Sequence, residues 1–152
     1  MKPNAKDRTL VHQPQPTADT CVHACIAMLT GIEVNKVRKK YSPDFQPIFW
    51  DDVQAILKHN KVESIRYANN WLPWNRVMLL SVPSLNITGR LHAIIVVTND
   101  DNMDIYDPNW GKEGLKSYGE DCDITSYGDI IEVFPFCNVG CESIKDVQQN
   151  AN

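Results

Sequence analysis

The chain has 152 residues, 43% of them hydrophobic, and a formal net charge of −4. That is the size of one domain with enough apolar material for a core, which excludes a disordered linker or tail as the whole answer. No basic run is longer than RKK at 38–40, so the chain does not read as a dedicated nucleic-acid binder, and apolar runs such as AIIVV at 93–97 are far too short to span a bilayer.

The N-terminus, MKPNAKDRTLVHQPQP, lacks the apolar stretch of a signal peptide. The expectation is a soluble cytoplasmic protein with reduced thiols. Five cysteines cannot all pair within one chain. Residues 1–14 read as an extended polar arm, 15–136 as a single domain and 137–152 as a polar tail.

A helix should begin at Asp19–Thr20, either of which can cap it, run through CVHACIAML and stop at Gly31. Cys21, Cys25, Met28 and Leu29 share one helical stripe. EVNKVRKKY (33–41) reads as a second short helix. DDVQAILKHN (51–60) reads as a third, with acids at its start and Lys58 and His59 at its end, as the helix dipole favours. The second half is strand-like at 62–68, 76–82, 91–98, 103–107 and 129–136, with TNDDN (98–102) as a tight hairpin turn. Helices followed by strands predict an α+β domain, helices packed on an antiparallel sheet.

The chemistry-bearing stretch is QPQPTADTCVHACIAMLTG (13–31). A structural zinc site would need a second close pair, and Cys137–Cys141 is the candidate partner for Cys21–Cys25. Met28 and Leu29 continue the Cys21 stripe, however, which points to core. A redox pair would be Cys-x-x-Cys, and the chain has none. A thiol in the first turn of a helix instead meets free backbone N–H groups and the positive end of the dipole, and both favour the thiolate. Cys21 is therefore the candidate nucleophile, and Cys25, one turn deeper, is packing.

A nucleophilic cysteine needs a base. His12 lies in the N-terminal arm, which reads as flexible. His23 faces away from Cys21 on the helix, and His59 ends a helix facing solvent. His92 opens a strand before AIIVV. With the hairpin turn centred on Asp100–Asp101, His92 lies across from Asn109, with Asp107 diagonal on the same face. A carboxylate there holds an imidazole in its working tautomer. The alternative for Asp107 is to start the DPNWG turn. Gln15, six residues before Cys21, could donate its amide to a developing oxyanion beside the Cys21 N–H, with Gln13 as a rival.

Gln15, Cys21 and the ACIAML helix, followed by GRLHAIIVVTNDDNMDIYDPNWG, resemble the two active-site segments of the bacteriocin-processing, double-glycine-type cysteine peptidases, a branch of the papain-like fold. The two segments cover about a quarter of the chain. The resemblance implies a stand-alone papain-like peptidase with Cys21 as nucleophile, His92 as general base, Asp107 as orienting acid and Gln15 as oxyanion-hole donor. It implies a peptide or protein substrate and neither metal nor cofactor. Val22 follows the nucleophile where that family commonly has glycine, and so borders the approach to the thiol. Trp110 follows the acid closely and would wall the cleft; Trp71 and Trp74 could line the same groove or a partner surface. The same residues can run deamidation or acyl transfer, and a catalytically silent binding module on the same fold is the rival from another class.

Overall fold

The computed structural model describes residues 10–44, 46–67, 72 and 74–134. Trp71, the tail 137–152 with Cys137 and Cys141, the first nine residues and the strand ends expected at Ala68 and Phe136 lie outside them.

The architecture is α+β: three helices and a five-stranded antiparallel sheet. The helices are α1 (Cys21–Thr30), α2 (Val34–Tyr41) and α3 (Val53–His59), the last entered through a single 3₁₀ turn at Trp50–Asp52. The strands are β1 (Glu63–Tyr67), β2 (Val77–Pro83), β3 (Leu91–Asn99), β4 (Asn102–Tyr106) and β5 (Ile130–Phe134), in the spatial order β1-β5-β2-β3-β4. No helix among the described residues is long and apolar enough to cross a membrane.

α1 is buried on nearly all sides: every residue from His23 to Thr30 is inside. The apolar stripe expected from its sequence is therefore only part of a wholly enclosed surface, as befits a helix between a sheet and other helices. Gly31 ends α1 in the left-handed region (φ 75°), where a side chain would be strained, and returns its N–H to the Ala27 carbonyl at 2.9 Å. The expected N-cap is absent. The Thr20 hydroxyl turns back to the Thr17 carbonyl at 2.9 Å and caps nothing, and Asp19 pairs instead with Arg90 at 3.1 Å.

One face of the sheet, with Val77, Leu79, Ala93, Ile95, Val97, Ile131 and Val133, packs against all three helices and Leu10. The opposite face, with Met78, Leu80, Val82, Ile94, Val96 and Ile130, is closed by Tyr118 and by partly buried Ile105, Cys122, Ile124 and Tyr127. Burial on both faces explains why VMLLSV and AIIVV are continuous apolar runs rather than alternating ones. On that second face the buried Glu132 carboxylate accepts from Arg76 Nε at 2.6 Å and from Tyr67 Oη at 2.6 Å. This neighbour pushes the Tyr67 hydroxyl up to about 12.

The β3–β4 register is the one the hairpin turn predicts: Asn99 faces Asn102 and Ile95 faces Tyr106. Asp100 takes the left-handed conformation (φ 51°) that such a two-residue turn needs. Trp74 donates its ring N–H to the Asp100 carbonyl, which places it at the end of the hairpin remote from His92 rather than along a groove with it.

The N-terminal arm is docked from Leu10 onward, not free. Leu10 is buried in the core. Gln13 reaches between two helices: its Nε2 donates to the Ile32 carbonyl at 2.9 Å and its Oε1 accepts the Val34 N–H at 2.8 Å. Gln13→Ala removes both partners from two backbone groups, at a cost of about 1–3 kcal/mol. The expected outcome is a lower urea midpoint at unchanged m value, with Cys21 reactivity intact; an unchanged midpoint would show that water replaces the clamp without loss.

Candidate active site

Three elements meet at Cys21. α1 presents the thiol from its first residue, β3 presents His92 from its second, and the segment leaving β4 presents Asp107. Cys21 is partly buried and makes hydrogen bonds with the His92 ring and with the backbone N–H groups of Ala93 and Val22. His92 Nε2 lies 2.7 Å from Asp107 Oδ1, which leaves Nδ1 for the thiol. Both His92 and Asp107 are buried, at 7% and 1% exposure, so water does not screen their pairing.

The Asp107 carboxylate both bonds the His92 ring and starts the turn. Its Oδ1 accepts the Asn109 N–H at 2.8 Å, starting the turn, as well as His92. Its Oδ2 accepts the Tyr118 N–H at 2.8 Å. Its main-chain carbonyl accepts from Trp110 N at 2.9 Å and from His12 Nε2 at 2.8 Å. Asn109 therefore acts through its backbone; its own Oδ1 is buried without a hydrogen bond.

The electrostatics favour an ion pair. Burial pushes the Cys21 thiol up, but the hydrogen bond and charge of His92, helped by the Ala93 and Val22 N–H groups, outweigh it and hold the thiol below its ordinary value. Burial pulls His92 down, but hydrogen bonds to Asp107 and Cys21 and their charges raise the imidazole to about 9. Between these two titrations the stable form is thiolate beside imidazolium. Cys25 goes the other way: full burial, then the charges of Cys21 and Asp107, push its thiol well up. It is packing, as expected from its place one turn deeper.

The remaining sequence-predicted residues sort clearly. Gln15 is buried at 3% exposure. Its backbone N–H donates to the Pro108 carbonyl at 3.0 Å, so the arm lies against the segment that carries Asp107. Its side-chain Nε2 donates to the Thr17 carbonyl at 2.8 Å, and its Oε1 is buried with no partner. Gln13, its rival, is engaged between α1 and α2. Val22 packs partly buried against the core. Trp110 is 53% exposed and meets the His12 ring edge-on at a centroid distance of 5.2 Å. His12 thus belongs to the site's surroundings, against the expectation that it lies in a flexible arm. His23 is a core histidine bonded to Ser42 Oγ at 2.9 Å, and burial lowers its basicity. His59 is exposed at the end of α3, edge-on to Tyr41.

Sequence reasoning passed over Tyr118 and Lys112. Tyr118 serves Asp107 through a backbone N–H, which any residue type could supply. Lys112 Nζ donates to the Gln15 carbonyl at 2.6 Å, a contact between residues far apart in the chain. Among the described residues, no three His, Cys, Asp or Glu side chains gather as a metal site. No family model matches the chain, and no curated protein matches it.

The ion pair has a direct readout. Iodoacetamide should alkylate Cys21 rapidly at pH 6, where a free thiol of pKa about 8.5 is under about 1% thiolate. Cys25 should stay unmodified under the same conditions. His92→Ala should abolish the fast reaction at pH 6 and leave a thiol that reacts only as pH rises toward 9. Mass spectrometry of the individual cysteines over pH 5–10 measures both. Equal profiles for wild type and His92→Ala would show that the imidazole does not hold the thiolate.

Proposed function

We propose that the protein is a papain-like thiol hydrolase that cleaves a peptide or other amide bond. The observation that carries this reading is the continuous hydrogen-bond chain from Cys21 through His92 to Asp107, with the thiol held acidic and the imidazole held basic. The wider arrangement supports it: a nucleophile heading a buried helix, a base heading a sheet strand, an acid closing the return strand, and a glutamine docked against the acid's loop. The sequence resemblance to double-glycine-type cysteine peptidases points the same way.

On this reading the reaction has two stages. The Cys21 thiolate attacks the carbonyl carbon, and the carbonyl oxygen takes the negative charge. Gln15 Nε2 and the Cys21 N–H are the donors assigned to it, at the start of α1 where the helix dipole is positive and no side chain caps the helix. The His92 imidazolium gives its proton to the leaving nitrogen as the C–N bond breaks, which leaves a thioester on Cys21. His92, now neutral, takes a proton from water as the water attacks the thioester, and the acid product leaves with the thiolate restored. With ammonia as the leaving group these steps are deamidation; with an amine in place of water they are acyl transfer. Asp107 keeps the imidazole oriented and compensates its charge throughout.

The sign of the pH dependence follows. Activity requires thiolate and imidazolium together. It rises as the thiol titrates below its ordinary value and falls as His92 loses its proton near about 9. Asp107→Asn removes the largest influence raising His92, so the alkaline limb should move down toward the ordinary histidine range and kcat should fall about 10²–10⁴-fold. The test is turnover of a fluorogenic peptide library by wild type, Cys21→Ala, His92→Ala and Asp107→Asn. Loss of at least about 10³-fold in kcat/KM is expected for the first two variants. Full turnover by Cys21→Ala would sink the mechanism.

A further inference from the structure

We propose that Lys112 is a positioning residue for the oxyanion site, clamping the strap that carries Gln15. The proposal rests on the thiol-hydrolase reading and names a residue that this reading does not require.

Residues 10–17 cross the loop that follows β4 and are tied to it at three points. His12 Nε2 meets the Asp107 carbonyl at 2.8 Å, Gln15 N meets the Pro108 carbonyl at 3.0 Å, and Lys112 Nζ meets the Gln15 carbonyl at 2.6 Å. The last is the shortest and the only one whose donor carries a fixed charge, and charge-assisted bonds are roughly twice as strong as neutral ones. Lys112 is itself held by a turn, its N–H donating to the Asn109 carbonyl at 3.2 Å. One short loop therefore supplies the carboxylate that orients His92 and the ammonium that grips Gln15.

Lys112 is half-buried and takes part in no ion pair among the described residues. Its ammonium donates to the neutral Gln15 carbonyl. Among the described residues the Gln15 side chain has one hydrogen bond, to the Thr17 carbonyl, and its Oε1 has none. Its main chain is held on both sides, N–H to Pro108 and carbonyl to Lys112, and this grip helps to set where the side chain lies. Donors to an oxyanion lose most of their effect when misplaced by a fraction of an ångström, so loosening this grip reaches the reaction.

Two reactions at the same sulfur separate the role from mere folding. With p-nitrophenyl acetate the Cys21 thiolate attacks the carbonyl carbon, the carbonyl oxygen becomes an oxyanion, and nitrophenolate departs with the C–O electron pair to leave an acetyl thioester. With iodoacetamide the thiolate displaces iodide at a methylene carbon and no oxyanion forms. Lys112→Met should slow the nitrophenolate burst about tenfold, less than the loss of a whole oxyanion donor, while alkylation of Cys21 keeps its rate and pH profile within about twofold. Lys112→Arg should restore most of the burst. Adding Lys112→Met to Gln15→Ala should cost nothing further, because the lysine acts through the glutamine. A parallel fall in both reactions, no fall in either, or an additive loss in the double variant would overturn the assignment. If wild-type Cys21 is alkylated but never acylated, the hydrolase reading itself fails and takes this one with it. If wild type acylates and Lys112→Met matches it, only the role of Lys112 fails.

Discussion

A buried carboxylate with its hydrogen bonds filled is the constraint on which the rest of the site depends. Asp107 is almost wholly removed from water, and in that position an ionised carboxyl is tolerable only with partners in good geometry. It has three: the His92 ring and two backbone N–H groups, from Asn109 and Tyr118. Those donors come from β3, from the turn after β4 and from the loop covering the back of the sheet. Satisfying one side chain therefore draws three parts of the chain together. Removing one partner of such a buried pair costs about 3–5 kcal/mol, a large share of the stability of a domain this size.

The thiol is balanced against the same environment. Burial alone would make Cys21 as unreactive as Cys25, one turn further into the helix. The difference is a neighbouring base and two N–H groups, which reach the first residue of α1 and not the fifth. Thr20 matters here by what it does not do. Its hydroxyl folds back on Thr17 and leaves the start of α1, beside the thiol, without a side-chain cap.

Much of this was legible in the sequence because it is set locally. The extent of α1 follows from good helix formers and a terminal glycine. The β3–β4 register follows from a two-residue turn, since once the turn is placed every cross-strand pair is determined. His92 and Asp107 could be matched that way before any tertiary contact was known. What could not be read depends on how loops dock. The Tyr118 N–H carries no residue-type signal, and Lys112 and His12 meet their carbonyls across some 95 residues of chain. The all-round burial of α1 and the second layer over Ile94, Val96 and Leu80 were likewise hidden. The segment that builds that layer, between Gly111 and Gly128, has neither helical nor strand periodicity, and only its packing gives it a role.

The place of β5 has a consequence for how the protein comes into being. It is the last strand described, yet it lies between β1 and β2 and joins them into one sheet. On a ribosome, Cys21, His92 and Asp107 have all been made before Ile130–Phe134 appears. Until it does, β1 has no strand to pair with and β2 shows an open edge, the kind of surface that recruits strands from other chains. The nascent chain at that point holds Cys21, His92 and Asp107 while β1 is still outside the sheet. The sheet is therefore closed only after Cys21, His92 and Asp107 have all been made, and over that interval the open edge of β2 is an aggregation hazard.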